Sequence, residues 1–406
     1  MTEILKLILV IVVIVFLIRK KWKLGYIMLL ASLLLGVAFG VNPKEIGKNF
    51  LLGLIDPATL NLIGIIIGVY FLSSILRRIK SFDDLVNSLQ QLIKDYRLIL
   101  AFIPALLGMI PMPAGAMFSA PMVKAIGEKA NLTPEEITFV NYWFRHVWEF
   151  VLPILPGMIL FAGILDVPFR NIFLVQFPLT VIAIIVGLAW EYKYLSKNDI
   201  SSFNKKNLFF NIKKLFLSIW SILAVIILVI IVKIDVLFSL IFVIFILFMT
   251  NYKKLGLHAI HKIIRNDIDL NVIILIASIM IFQRMLQVSG AAEIIPKTFM
   301  ELGVHPFIIL FFIPFFLAMI TGLTPAAIGL GIPILLPIIM PGEINYYYAM
   351  FAYSAVFTGA MLSPMHLCLV VTRNYFKSDL NKIYKMLIFP LSAIVLSAFI
   401  LLLLKG

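Results

Sequence analysis

The stretch GMIPMPAGAMFSAPMV, residues 108–123, interrupts a chain that is otherwise strongly apolar. Pro111 and Pro113 each remove a backbone hydrogen-bond donor, and Gly115 loosens the backbone between them and the next helical turn. A second stretch, MITGLTPAAIGLGIPILLP at residues 319–337, places glycine and proline inside an apolar segment in the same way. The two stretches predict two interruptions of helical structure at membrane depth.

The composition restricts the class of protein. Of the 406 residues, 62% are hydrophobic and 13% are charged, and the mean hydropathy is +1.09. Soluble domains carry roughly 25% charged residues. Apolar runs of about 17–25 residues, the length that crosses a bilayer as a helix, recur along the whole chain. The sequence therefore predicts an all-α polytopic membrane protein.

We predict about ten transmembrane helices and two re-entrant hairpins, each of which enters and leaves the membrane on one side. The hairpins are placed at residues 98–128, opening inward, and 306–340, opening outward. The crossings are placed at residues 4–18, 25–41, 58–77, 134–165, 168–190, 214–232, 234–250, 269–288, 344–372 and 386–404. Of these, 134–165 and 344–372 contain prolines and are predicted to be broken helices.

The distribution of positive charge supports this arrangement. With the N-terminus outside, 25 of the 34 Lys and Arg residues fall on inner segments and 8 on outer ones. Such a bias is typical of membrane proteins, whose inner loops are basic. It accounts for the net charge of +14 without a nucleic-acid partner. Counting the hairpin at 98–128 as a single crossing would largely remove the bias. We expect the plasma membrane, with both termini outside.

The chain divides into two similar halves. Residues 1–190 form the first half, which includes an amphipathic interfacial helix at 81–97. Residues 191–213 form a polar cytoplasmic linker, and 214–406 form the second half. Prolines recur between the halves at offsets of 210, 212 and 211 residues. The matching pairs are Pro104 with Pro314, Pro121 with Pro333, and Pro153 with Pro364. Because the halves run in opposite directions, they are predicted to be inverted repeats, which are typical of secondary transporters.

The motifs PMPAGAMFSAPMV (111–123) and NYWFRHVWE (141–149) resemble an uncharacterised integral membrane family, domain of unknown function 401. The hairpins and broken helices are similar to those of the ion transporter superfamily, which includes permeases for citrate, gluconate and dicarboxylates. This resemblance implies an elevator-type carrier of a small organic anion, coupled to H⁺ or Na⁺, and a possible homodimer. The Ser-Asn-Thr hairpin-tip motif of the sodium-coupled dicarboxylate branch is absent.

The first broken helix carries the charged candidate site residues. Asn141, Arg145 and Glu149 recur every fourth residue and would share one helix face near the middle of the membrane. Charges at that depth are costly and usually functional. We expect Arg145 to bind a carboxylate of the substrate and Glu149 or His146 to carry the coupling proton. The alternative is that Arg145 and Glu149 neutralise each other one turn apart.

The second broken helix and the hairpin turns supply the uncharged candidates. These could line a cavity, or the hydroxyls could bond back to carbonyls of their own helix. The candidate substrate-binding residues are Gly115, Ser119, Thr321, Gly322, Thr324, Ser354, Thr358 and Ser363. The predicted helix breaks are Pro111, Pro113, Pro153, Pro325 and Pro364. We interpret His366 as a cap for the backbone freed by Pro364.

Other functional classes fit the sequence less well. The single cysteine, Cys368, cannot by itself build a thiolate metal site, and no His-Glu-x-x-His motif is present. We therefore expect no enzyme activity, no metal and no cofactor beyond the coupling ion. The expected partners are a small-molecule anion and the lipid bilayer. An ion channel, or an inorganic-anion or cation antiporter of the same architecture, is the alternative.

Overall fold

The computed structural model describes residues 2–93, 95–110, 115–195, 208–301 and 303–406. Over these residues the protein is helical and contains no strand. The helices are α1 (Thr2–Arg19), α2 (Leu24–Ala38), α3 (Pro43–Ile55), α4 (Pro57–Arg78), α5 (Ser81–Leu92), α6 (Tyr96–Gly108), α7 (Ala116–Lys129), α8 (Pro134–His146), α9 (Pro156–Leu165), α10 (Phe169–Tyr194), α11 (Leu208–Ile227), α12 (Val236–Thr250), α13 (Tyr252–Lys262), α14 (Leu270–Val288), α15 (Ala291–Glu301), α16 (Pro306–Thr321), α17 (Thr324–Ile339), α18 (Tyr346–Leu362), α19 (Leu367–Phe376) and α20 (Leu380–Lys405).

Six helical segments in the described part of the chain are long and apolar enough to cross a membrane. They are Pro57–Arg78, Phe169–Tyr194, Leu208–Val232, Leu270–Val288, Tyr346–Phe376 and Leu380–Lys405. The all-helical prediction is therefore confirmed, and these segments fit a membrane-embedded protein. Further predicted crossings coincide with α1 or with shorter apolar helices such as α2 and α12. The total of ten crossings stays a prediction.

Each predicted hairpin region holds two helices. Helices α6 and α7 cover most of 98–128, and Pro111 and Pro113 between them lie outside the described residues. Helices α16 and α17 lie in 306–340 and are joined by Gly322 and Leu323. Gly322 has φ +66°, a left-handed conformation that favours glycine because it has no Cβ. The second turn therefore depends on this glycine.

The predicted interfacial helix is shorter than expected, because a new helix begins inside it. Helix α5 ends at Leu92, and Asp95 then caps α6 by accepting a hydrogen bond from the backbone N–H of Arg97. The Arg97 guanidinium also donates to the Asp95 carboxylate over 2.7 Å. These hydrogen bonds hold the pKa of the Asp95 carboxyl below its ordinary value. Tyr192 of α10 donates to the same carboxylate, which ties α6 to α10.

Both predicted broken helices are interrupted near their prolines. Helix α8 ends at His146 and α9 begins at Pro156, so Pro153 lies in the intervening segment 147–155, the first break. Helix α18 ends at Leu362 and α19 begins at Leu367, so Pro364 lies in segment 363–366, the second break. Residues 196–207 of the predicted linker lie outside the described residues.

Helices of equal length recur at the offset given by the prolines. Helices α10 and α20 have 26 residues each and begin at 169 and 380. Helices α9 and α19 have 10 residues each and begin at 156 and 367. Packing partners are exchanged in the same way, since α9 packs on α17 and α19 packs on α7. Two copies of one helical unit would give this pattern.

Helix α18 packs directly on the backbone of α16 at Gly359. A Cβ added to Gly359 would lie 2.2 Å from the Phe315 carbonyl oxygen, so a substitution must force the two backbones apart. Close approach through glycine is a common way of packing helices in membranes.

We predict that Gly359→Ala lowers thermal stability, measured as the unfolding midpoint of the detergent-purified protein. The expected cost of overpacking is about 1–3 kcal/mol, which exceeds the gain in helix propensity of about 0.5–1 kcal/mol. Gly47→Ala is the matched control, because Gly47 is an exposed helical glycine whose added Cβ would meet nothing within 4 Å. An equal or higher midpoint for Gly359→Ala would contradict the prediction.

Candidate functional site

A cavity of about 330 Å³ lies where the two breaks, both hairpins and α4 meet. The first half contributes the break that follows α8 and the end of α6, and the second half contributes the start of α17 and the break before α19. Its walls include Ile66, Val69, Tyr70, Gly108, Arg145, His146, Glu149, Asp269, Thr324, Tyr353, His366 and Cys368. Arg145, His146, Glu149 and Thr324 were predicted site residues, and the fold brings these four together.

Arg145 lies in the last turn of α8 with its side chain buried. Its Nη1 donates a hydrogen bond to the Leu107 carbonyl over 3.2 Å. Its guanidinium also packs against Gly115, where an added Cβ would lie 1.8 Å from Nη2. Gly115, predicted to face a ligand, therefore faces the guanidinium. Gly108 likewise allows α6 to approach the Arg145 carbonyl.

Glu149 does not pair with Arg145. Among the described residues, no carboxylate oxygen lies within 4.0 Å of the Arg145 guanidinium nitrogens. The helix ends at His146, so the one-turn spacing assumed for a continuous helix does not apply. Glu149 instead accepts a hydrogen bond of 3.2 Å from the Thr324 hydroxyl at the start of α17. Thr324 therefore joins the second hairpin to the first break.

Two histidines meet across the breaks. The Nε2 atoms of His146 and His366 are 3.1 Å apart, and both residues are buried. Nδ1 of His146 donates to the Tyr142 carbonyl over 2.6 Å. His366 precedes α19 but makes no side-chain cap hydrogen bond within the described residues, so its predicted capping role is not seen. Cys368 lies beside both rings, and the three side chains form one cluster.

Side chains satisfy carbonyls that the breaks leave free. The Tyr353 hydroxyl donates to the Glu149 carbonyl over 2.8 Å, and the Tyr142 hydroxyl donates to the Met361 carbonyl over 3.2 Å. Ser363, a predicted substrate ligand, donates to the Met319 carbonyl of α16 over 2.7 Å. Its hydroxyl therefore links the second break to α16 and does not face the cavity.

Most of the other predicted hydroxyls bond to their own helix, which is the alternative considered for them. Ser119 donates to Ala116, Thr321 to Leu317, Ser354 to Phe351, and Thr358 to Ser354, in each case to the carbonyl oxygen. None of the four lines the cavity. A hydroxyl that has no polar partner across a helix interface gains most by bonding back to its own helix.

Asn141 and Gly322 hold elements together beside the cavity, and Pro325 lines it. The Asn141 amide donates to the Ala116 carbonyl and to the Thr372 hydroxyl, and so links α7 to α19. Gly322 packs against the backbone of the second break, where an added Cβ would lie 2.8 Å from the Met365 carbonyl carbon. Pro325 lies in the first turn of α17, where proline is tolerated, so it does not break a helix.

Sequence reasoning gave His366 only a capping role and missed Cys368, Tyr353, Tyr70 and Asp269 as cavity residues. His366 and Cys368 come directly after Pro364, which the proline pairing already aligned with Pro153. That alignment could have placed both residues at a break. Nothing in the sequence indicated that they would face His146, because the two histidines are 220 residues apart.

We predict that Thr324→Val destabilises the protein more than Thr321→Val does. Valine keeps the methyl group that packs on Gly157 but removes the donor to Glu149. Loss of a hydrogen bond to a charged group costs about 1.5–3 kcal/mol. Thr321 is the matched control, because its hydroxyl bonds back to the Leu317 carbonyl of its own helix. Thermal unfolding of both variants tests this, and equal midpoints would contradict it.

Comparison with known proteins identifies the family. No curated protein matches the chain. One family profile, described as protein of unknown function (DUF401), matches residues 2–404. This match covers nearly the whole chain and agrees with the resemblance noted for residues 111–123 and 141–149. The chain therefore belongs to the DUF401 family of proteins of unknown function.

Proposed function

We propose that the protein is a secondary active transporter of a small, carboxylate-type organic anion. One observation carries the proposal: Arg145 is a buried arginine at the edge of a cavity and has no carboxylate partner in the described residues. A buried cation without a direct carboxylate partner is costly to retain, which favours a ligand of opposite charge. The planar fork of a guanidinium suits a carboxylate, which it can bind through two parallel hydrogen bonds.

The size and lining of the cavity support a small solute. Its volume of about 330 Å³ is at the lower end of the range of about 300–1,000 Å³ typical of ligand pockets. Ile66 and Val69 of α4 contribute apolar surface. The polar groups come from Tyr70, the end of α8, the two breaks, Asp269 and Thr324. A solute held there would be fixed by a few polar contacts.

The arrangement of helices supports alternating access of the elevator type. In this mechanism one group of helices carries the solute across while the other stays fixed. The hairpins and broken helices would form the moving group, and α4 and α14 would belong to the fixed one. Equal helix lengths and exchanged partners support inverted repeats, which are common in secondary transporters. Membership of the ion transporter superfamily, with its citrate, gluconate and dicarboxylate permeases, belongs to this proposal.

Glu149 is the proposed carrier of the coupling proton, with His146 as a second candidate. Its carboxylate lies in the same cavity as Arg145 and contacts the second hairpin through Thr324. Protonation of Glu149 would remove a negative charge beside the anion. It would also weaken the hydrogen bond that Glu149 accepts from Thr324 of α17. Coupling to Na⁺ is the alternative and predicts dependence on a sodium gradient.

The remaining features of the proposal follow from a carrier in the plasma membrane. Both termini would face outside, as the distribution of basic residues indicates. The protein would catalyse no covalent reaction and would assemble as a homodimer, as the resemblance implies. Labelling of single introduced cysteines in a Cys368→Ser background would test the orientation of each terminus.

The first experiment is a thermal-shift screen of the purified protein against citrate, gluconate, succinate, lactate and phosphate, with and without Na⁺. An anion that raises the unfolding midpoint is then radiolabelled for exchange in proteoliposomes. A carrier gives saturable exchange of labelled for unlabelled solute. Flux that rises linearly with voltage and shows no exchange would indicate a channel and contradict the proposal.

We predict that Arg145→Gln reduces exchange of the identified anion at least about 30-fold, because truncating a buried charge partner costs about 2–5 kcal/mol. Arg170→Gln is the matched control. Arg170 donates to the Ile230 carbonyl and does not line the cavity, so this variant should keep wild-type exchange. Insertion is checked by size-exclusion elution of both variants. Unchanged exchange in Arg145→Gln would rule out its assigned role.

We predict that Glu149→Gln abolishes stimulation of uptake by an inward pH gradient but leaves anion exchange at equal pH. Glutamine cannot carry the proton, yet it keeps the shape of the side chain. Glu191→Gln is the matched control, because Glu191 is a buried glutamate that lies on α10 away from the cavity. Persistent pH stimulation in Glu149→Gln would redirect the assignment to His146.

A further inference from the structure

We propose that His146, His366 and Cys368 form a binding site for a divalent cation of the zinc type. One ligand atom from each side chain lies within 4.8 Å of the other two. Imidazole nitrogen and thiolate sulfur are the ligand types that such borderline-soft cations prefer. This site goes beyond the proposed anion transport and does not depend on it.

The spacing of the two histidines suits a metal. Their Nε2 atoms are 3.1 Å apart. Two imidazole nitrogens bound to tetrahedral zinc, with bonds of about 2.0–2.1 Å, are about 3.3 Å apart. A zinc–sulfur bond of about 2.3 Å places sulfur about 3.6 Å from each nitrogen. The Cys368 sulfur already lies within 4.8 Å of both nitrogens, and the imidazole nitrogens are close to the separation that zinc requires.

The surroundings of the histidines prepare them as ligands. His146 donates its Nδ1 proton to the Tyr142 carbonyl, which leaves the lone pair of Nε2 directed at His366. Metal-binding histidines are usually held by a hydrogen bond of this kind on the other ring nitrogen. The His366 residue is 8% exposed, and its Nδ1 has no hydrogen-bond partner among the described residues. Without a metal, the Nε2–H of His366 donates to Nε2 of His146 over 3.1 Å. Metal binding replaces this hydrogen bond, and the ring proton of His366 then resides on Nδ1 and leaves Nε2 to the metal.

The charges nearby are compatible with both the empty and the filled site. Arg145 interacts with the Cys368 sulfur and can balance a thiolate when no metal is bound. Glu149 lines the same cavity and offsets part of the added positive charge when a metal is bound. Three protein ligands leave one coordination position of a tetrahedral ion for water or an anion.

This proposal departs from the expectation of no metal. That expectation came from the lack of a recognisable ligand spacing in the sequence. Here His146 comes from the end of α8, and His366 and Cys368 come from the second break and the start of α19, so no local spacing could indicate the set.

Titration with Co²⁺ tests the site on the full-length, detergent-purified protein after removal of metals with a chelator. We expect a near-ultraviolet charge-transfer band from thiolate to cobalt, together with the visible bands of tetrahedral Co²⁺. Cys368 is the one cysteine of the chain, so this band can arise only there. Excess Zn²⁺ should abolish both sets of bands. A folded wild-type protein that gives no charge-transfer band would overturn the proposal.

Three variants assign the ligands, and each is first checked for wild-type elution. Cys368→Ser should lose the charge-transfer band. His366→Ala should bind Co²⁺ at least about tenfold more weakly, since changes outside the ligand set already cost about 10–100-fold. His258→Ala, at an exposed position, should bind as the wild type does. Wild-type affinity in His366→Ala would refute the site. Binding is measured without any anion, so failure here would leave the transport proposal standing.

Discussion

The structure depends on one constraint. The helix breaks leave backbone carbonyls without an intrahelical hydrogen-bond partner. In an apolar environment each must find a donor, because an unpaired buried carbonyl costs free energy. Tyr353, Tyr142 and Ser363 supply hydroxyl donors to the carbonyls of Glu149, Met361 and Met319. Each donor reaches across to another helix. The hydrogen bonds that satisfy these carbonyls therefore also fix how the helices around the breaks pack.

The two halves contribute unequally to the cavity that results. The end of α8 and the first break bring the charges of Arg145 and Glu149, whereas the second break and the start of α19 bring His366 and Cys368. Equal helix lengths give the halves the same scaffold, so the chemical difference comes from side chains at matching positions. The first half therefore contributes charged groups, and the second half contributes an imidazole nitrogen and a sulfur atom. The proposed anion would bind against Arg145, and the proposed cation would bind between His146, His366 and Cys368.

Short-range sequence patterns predicted where helices are interrupted, but they predicted few of the side-chain contacts. Glycine and proline act on the backbone within a few residues, so Pro153 and Pro364 correctly placed the two breaks. The prediction that Arg145 and Glu149 lie on one continuous helix was wrong, because α8 ends at His146, although both residues line the cavity. Most of the Ser and Thr residues that were predicted to line the cavity do not line it. A Ser or Thr hydroxyl bonds back to its own helix unless a partner lies opposite, as Glu149 does for Thr324.

The sequence by itself determined that this chain is an apolar, helical protein with helix interruptions at Pro153 and Pro364. These properties depend on composition and on short-range backbone chemistry, which the order of residues contains directly. Only the tertiary structure decided that Gly115 packs against Arg145 and that His146 meets His366. Such pairs depend on how helices from the two halves cross. No short-range pattern encodes that crossing, because it is set by the packing of all the helices together.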